Sequence, residues 1–227
     1  MATDIDQADL FWLRERLELY RRALRDEQVI GKLVELKSLM LATHARRRKV
    51  IFVGNGGSAA IASHCAVDFT KTASVRCINF NEADLITCLS NDYGYEWWVE
   101  KALEMYGDDG DSVVLISSSG RSPNMVRAAE QTRSRGLSLV TLTGFDSENP
   151  LRKLGDLSLW IDSRAYNVVE ITHQVWLLAV CDLIIGKAEF PAFPVARTAG
   201  RSSSNRSTNS VVVASSQWSF KPRGSCG

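Results

Sequence analysis

Two short apolar runs in this chain end in loops of very small residues and lead straight into helix-forming sequence. Val50-Ile51-Phe52-Val53 runs into Gly54-Asn55-Gly56-Gly57-Ser58, and the stretch 112–117 runs into Ser117-Ser118-Ser119-Gly120-Arg121-Ser122. A run this short and this rich in β-branched residues reads as a strand covered on both faces. The rhythm continues with strands expected over 75–80, 137–143 and 157–161. Helices are expected over 58–71, 82–90, 95–106, 122–135 and 167–185. Strands alternating with helices imply right-handed βαβ crossovers and an α/β fold with a doubly wound parallel sheet. A length of 227 residues leaves room for one such domain and an appendage.

The flanks read differently. Over 1–48, Leu10, Leu13, Leu17 and Leu24 recur at helical spacing, as do Leu33, Leu36, Met40 and Leu41, with Gly31 as the expected break between two helices. An amphipathic pair must bury its apolar stripe, against a second subunit or within its own chain. The sheet domain is expected over 49–190, and the pair over 1–48 is assigned to an oligomer interface. Over 191–227 the chain is expected to be disordered, because 197–210 is dominated by Ser, Arg, Asn and Thr. The sharper alternative is a basic tail for an acidic partner.

Bulk numbers exclude more than they assign. A net charge of +1 gives no electrostatic reason to expect nucleic acid. No apolar run is expected to reach the roughly 18 to 20 residues of a membrane span, and 1–19 has no signal-peptide core, so a cytoplasmic protein without a membrane partner is expected. Cys65, Cys77, Cys88, Cys181 and Cys226 are scattered without a Cys-x-x-Cys pair, which reads as free thiols.

In open α/β sheets ligands bind beyond the carboxyl ends of the strands, where both loops fall. The glycines of 54–57 allow close backbone approach, and Ser58 opens a helix whose N-terminus favours an anion. Ser117, Ser118, Ser119 and Ser122 add neutral hydroxyl donors at the next strand-to-helix turn. Gly54-x-Gly56-x-x-Ala59 also meets a loose dinucleotide fingerprint. That fingerprint requires an acidic residue ending the second strand, and this strand ends Ile78-Asn79-Phe80, so no nucleotide cofactor is expected.

Histidine is scarce enough to weigh residue by residue. His44 stands beside Arg46, Arg47 and Arg48 at a helix end and reads as solvent-facing. His64 and Asp68 are four apart, and Glu170 and His173 three apart, so each pair shares a helix face. Such pairs can present metal ligands, or each histidine can simply bond its neighbouring carboxylate.

The motifs Gly-Asn-Gly-Gly-Ser-Ala-Ala at 54–60, His64 with Asp68, Asn-Asp-Tyr-Gly-Tyr at 91–95, Ser-Ser-Ser-Gly-Arg-Ser-Pro-Asn at 117–124 and Thr-Leu-Thr-Gly at 141–144 occur in that order. Together they resemble the SIS (sugar isomerase) family, in its phosphoheptose isomerase branch. The resemblance implies a single SIS domain with a flavodoxin-like sheet and a homotetramer with sites between subunits. It also implies aldose–ketose isomerisation of sedoheptulose 7-phosphate, a C7 sugar phosphate, for surface-polysaccharide heptose. By resemblance, Ser117, Ser118, Ser119 and Ser122 grip the phosphate. Asn55, Gly56, Gly57, Ser58, Asn91, Asp92 and Asn124 bind the rest of the substrate. His64 and Asp68 match zinc-binding positions, and Glu170 matches a position where the family commonly has a glutamine serving both metal and substrate, which implies one Zn(2+) per subunit.

Two departures from the pattern matter. The family carries a second histidine eight residues after the position of Glu170, and here that residue is Leu178. Asp68 replaces a glutamate and is shorter by one methylene. Two expectations follow. In one, His173 stands in as proton carrier, Asp68 and Glu170 supply the catalytic carboxylates, and isomerisation survives. In the other, the chain is a non-catalytic phosphosugar-binding or regulatory protein, as are family members that include a binder of a replication initiator.

Overall fold

The structure, a computed structural model, describes residues 5 to 188. The expected disordered or basic tail over 191–227 lies outside the described residues. Five parallel strands, β1 (Val50–Gly54), β2 (Cys77–Asn79), β3 (Ser112–Ser117), β4 (Ser138–Thr143) and β5 (Leu157–Trp160), form one sheet in the order β2-β1-β3-β4-β5. This is the flavodoxin-like order, with its switch point between β1 and β3. The helices are α1 (Gln7–Leu24), α2 (Glu27–Ala45), α3 (Gly57–Lys71), α4 (Ala83–Tyr93), α5 (Trp98–Tyr106), α6 (Pro123–Ser134), α7 (Pro150–Leu154) and α8 (Tyr166–Ile185).

Successive strand residues feed two cores. Val50, Phe52, Val114, Ile116, Val140 and Leu142 point to the face covered by α2, α3 and α8. Ile51, Val53, Val113, Leu115 and Leu139 point to the face covered by α5 and α6. Fully burying each such side chain is worth about 1.5–3 kcal/mol over leaving it exposed, which is why the strands show no polar alternation. Cys65, Cys77 and Cys181 are buried free thiols, and desolvation pushes the Cys65 thiol up to about 12.

Two expectations are corrected, and one element is added. The helix break falls at Arg25–Asp26, because the Asp26 carboxylate accepts from the Gln28 N–H at 2.9 Å and restarts the helix. Gly31 lies inside α2, where a lone glycine costs only about 1 kcal/mol and does not end a capped helix. The short helix α7 lies in a stretch to which no element is assigned from the sequence; Asn149 caps it, accepting from the Arg152 N–H at 2.8 Å. Finally, α8 is by length and composition apolar enough to cross a membrane, with a mean hydropathy of 1.7 over its most apolar window. Its apolarity has a packing cause: Val168, Val169, Trp176, Leu177, Val180 and Cys181 are buried against the sheet.

The amphipathic pair divides. α2 belongs to the domain core through Val29, Leu36 and Met40, and Lys32 Nζ donates to the Ser158 carbonyl at 2.9 Å. α1 has no buried residue and leaves Phe11, Trp12, Leu13 and Leu17 exposed.

Candidate active site

Because β1 and β3 are neighbours, with Gly54 opposite Ile116, the loops that follow them lie side by side. They are braced by amides. Asn81 both donates to the Gly54 carbonyl (2.8 Å) and accepts from the Gly54 N–H (3.2 Å). Asn55 and Asn124 exchange two side-chain hydrogen bonds at 3.0 Å each, and Tyr95 donates its hydroxyl to Asn55 Oδ1 at 3.1 Å. Asn124, expected to bind substrate, is buried and commits its amide to joining the two loops.

Ser117, Ser118, Ser119 and Ser122 line a cleft of about 270 Å³ with Ser58, Asn55, Gly56, Gly57, Tyr166 and Glu170. The helices α3, α6 and α8 all begin beside it, and each helix start leaves backbone N–H groups without intrahelical partners. Among the lining residues there is no lysine or arginine, so the anion-holding groups are neutral donors. The Ser118 hydroxyl is buried and has no hydrogen-bond partner among the described residues. Such a group costs free energy until an acceptor reaches it.

Close packing fixes the loop backbones. A Cβ on Gly57 would overlap the Glu170 carboxylate, so only glycine lets α8 lay that side chain on the loop. Gly120 has φ +62°, and a Cβ there would overlap Asn149. Asn149 in turn donates to Thr143 Oγ1 (3.2 Å) and the Asp146 carbonyl (2.8 Å), while the Gly144 N–H donates to the Ser118 carbonyl (2.9 Å). The end of β4 therefore holds the serine loop.

The expected ionisable residues separate. α3 and α8 run side by side in the same direction: Glu170 meets Gly57, Gln174 meets His64 and Cys65, and Cys181 meets Thr72. His64 Nε2 lies 3.0 Å from Asp68 Oδ2, and Gln174 Nε2 lies 3.3 Å from His64 Nδ1. The Gln174 amide nitrogen is a donor, so Nδ1 accepts and Nε2–H donates to Asp68. Seven residues separate His64 from Gly57, about 10 Å along the helix. Asn91 and Asp92, exposed in the last turn of α4, bond one another at 2.9 Å and do not line the cleft.

Zinc is held by three or four donors. Here His64 and Asp68 stand together, Glu170 stands at Gly57, and Leu178 brings no donor. Among the described residues no group of three or more His, Cys, Asp or Glu side chains has metal-holding geometry. The three expected ligands therefore do not meet at one point in this arrangement.

His173 is corrected from proton carrier to core residue. Its ring is fully buried, and Nε2 lies 3.1 Å from the Thr143 carbonyl. A carbonyl only accepts, so Nε2 carries the hydrogen and Nδ1 is left without a partner. Desolvation lowers its pKa to about 4. Three residues along α8 turn the side chain about 60° from Glu170, and that angle carries it from the cleft into the core. His44 is exposed, as expected. The sequence reading missed Tyr166 and gave Tyr95 no role; the signal for Tyr166 was its i,i+4 spacing to Glu170.

A family model described as the SIS domain matches residues 12–144. The chain belongs to the SIS family. It is 30% identical over 186 residues to a phosphoheptose isomerase of Fusobacterium nucleatum, covering 80% of this chain and 93% of the relative. It is 35% identical over 163 residues to a phosphoheptose isomerase of Nitratidesulfovibrio vulgaris, covering 69% and 78%. The solved phosphoheptose isomerase from Neisseria gonorrhoeae superposes with a TM-score of 0.70 at 26% identity, over 78% of this SIS protein and 98% of that chain.

Proposed function

We propose that this SIS protein is an aldose–ketose isomerase of the phosphoheptose type, interconverting sedoheptulose 7-phosphate and a heptose 7-phosphate for heptose synthesis. The observation that carries the reading is Glu170, the one carboxylate lining a cleft whose other polar groups are the hydroxyls of Ser58, Ser117, Ser118, Ser119, Ser122 and Tyr166, the Asn55 amide and loop backbone. The phosphate sits on the hydroxyls of Ser117, Ser118, Ser119 and Ser122 and the N–H groups opening α6. Glu170 takes the proton from C1 of the ketose, α to the C2 carbonyl, and returns it to C2. The hydroxyl proton moves from O1 to O2, leaving the carbonyl at C1. The N–H groups opening α3 are the donors available for the enediolate oxygen.

A negative phosphate and a negative carboxylate share this cleft without a cation from the lining, so Glu170 serves proton transfer and not phosphate affinity. The exposed apolar face of α1, with Ile171 and Val175 of α8, favours a homo-oligomer, and a tetramer is the state we assign. A doubly charged substrate does not cross a membrane unaided, which favours a cytoplasmic location.

The test is conversion of C6 and C7 ketose phosphates by the purified protein, followed by 31P NMR. Turnover of sedoheptulose 7-phosphate is expected. Binding of that sugar without turnover of any of them would instead mark a non-catalytic phosphosugar-binding protein.

A further inference from the structure

We infer that Tyr166 is a substrate-positioning residue that donates its hydroxyl to the phosphate held by the serine loop. This deepens the proposed function and rests on the same cleft. Tyr166 is the first residue of α8, is 59% exposed, and lines the cleft with Ser117, Ser118, Ser119 and Glu170. One helical turn separates it from Glu170, so ring and carboxylate share a face. No described residue bonds its hydroxyl, in a cleft whose other donors are neutral.

The ring rests against one neighbouring aromatic. It stands edge-on to Phe145, with centroids 4.9 Å apart and planes at 75°. Phe145 has φ +57°, a left-handed conformation that costs a non-glycine residue roughly 1–2 kcal/mol. It is maintained by the Phe145 N–H donating to the Ser163 carbonyl at 2.9 Å, while the adjacent Gly144 N–H donates to the Ser118 carbonyl at 2.9 Å. The backbone turn that supports the serine loop therefore also sets the platform for the Tyr166 ring. The Phe145 side chain is partly buried against the core on one side and meets the Tyr166 ring on the other. The buried, unpartnered Ser118 hydroxyl independently marks the same place as the seat of an acceptor.

The experiment compares wild type with Tyr166→Phe, which keeps the ring and removes the hydroxyl, and with Tyr166→Ala. Binding of inorganic phosphate is measured by calorimetry, and KM and kcat with sedoheptulose 7-phosphate. For Tyr166→Phe we expect phosphate affinity and KM each to weaken about tenfold, the effect of one hydrogen bond to a charged group, with kcat within about twofold. Unchanged affinity and KM in Tyr166→Phe overturn the inference, including the case where only Tyr166→Ala is impaired, because the ring alone then matters. If wild type binds phosphate but turns nothing over, the isomerase reading fails while the Tyr166 test still runs on affinity. If wild type binds no phosphate, both fall.

Discussion

Two places along the same pair of helices, α3 and α8, behave in opposite ways. At their N-terminal ends the chain builds a braced cleft whose polar groups are left open: Ser118 has no partner, and Glu170 lies on Gly57. Two turns further on, His64, Asp68 and Gln174 satisfy one another on a half-exposed surface. The first place stores unsatisfied hydrogen-bonding capacity and the second has spent it. A motif residue is therefore better judged by whether its polar atoms are already partnered than by its position in the pattern.

The largest effect that would sharpen this contrast is on Glu170. Replacing Glu170 with Gln removes the proposed base and keeps its shape, so kcat should fall about 10²- to 10⁴-fold. Phosphate binding should hold or tighten, because a negative charge leaves the cleft. A loss of binding that matched the loss of kcat would make Glu170 a binding residue.

His173 gives the next effect, on stability. Its pKa in the folded chain is near 4, below the ordinary histidine value of about 6.5, so between these values the unfolded chain binds more protons. The stabilisation is fully present above pH 6.5 and is lost as the pH falls toward 4, a change on the order of 3 kcal/mol. Denaturant midpoints across this window should flatten in His173→Gln; an unaltered slope would remove His173 as the cause.

Ser118→Ala should weaken phosphate binding about tenfold while leaving stability unchanged or slightly raised, since the hydroxyl makes no internal hydrogen bond. Both quantities come from one thermal-shift titration with phosphate. The smallest effect is expected at the partnered site: Asp68→Asn should lower kcat less than about tenfold, since the base is placed elsewhere. A loss as deep as that of Glu170→Gln would break the comparison and bring the His64–Asp68 pair into the chemistry.

The sheet and both loops were legible because short apolar runs ending in glycine or serine leave few alternatives. The helix boundary at Asp26 was not, because Gly31 drew attention from a capping carboxylate five residues earlier. α7 was hidden by its brevity; its signal was Asn149 before Pro150, a cap followed by a residue suited to the first helical position. Within the site, spacing correctly grouped His64 with Asp68. It could not tell which way α8 faces, and that rotation sends Glu170 to the cleft and His173 to the core. Asn124 was placed among the ligands by its motif, and an amide can bind sugar or another amide equally well. Only its pairing with Asn55 decides what it does here.

The central claim is tested most directly by solvent deuterium incorporation into sedoheptulose 7-phosphate at its reacting carbons. With wild-type protein in D2O, deuterium should enter at C1 of the ketose and C2 of the aldose as the sugars interconvert, and Glu170→Gln should abolish both while still binding the sugar. Incorporation at the wild-type rate in Glu170→Gln, or none in wild type, would contradict the account.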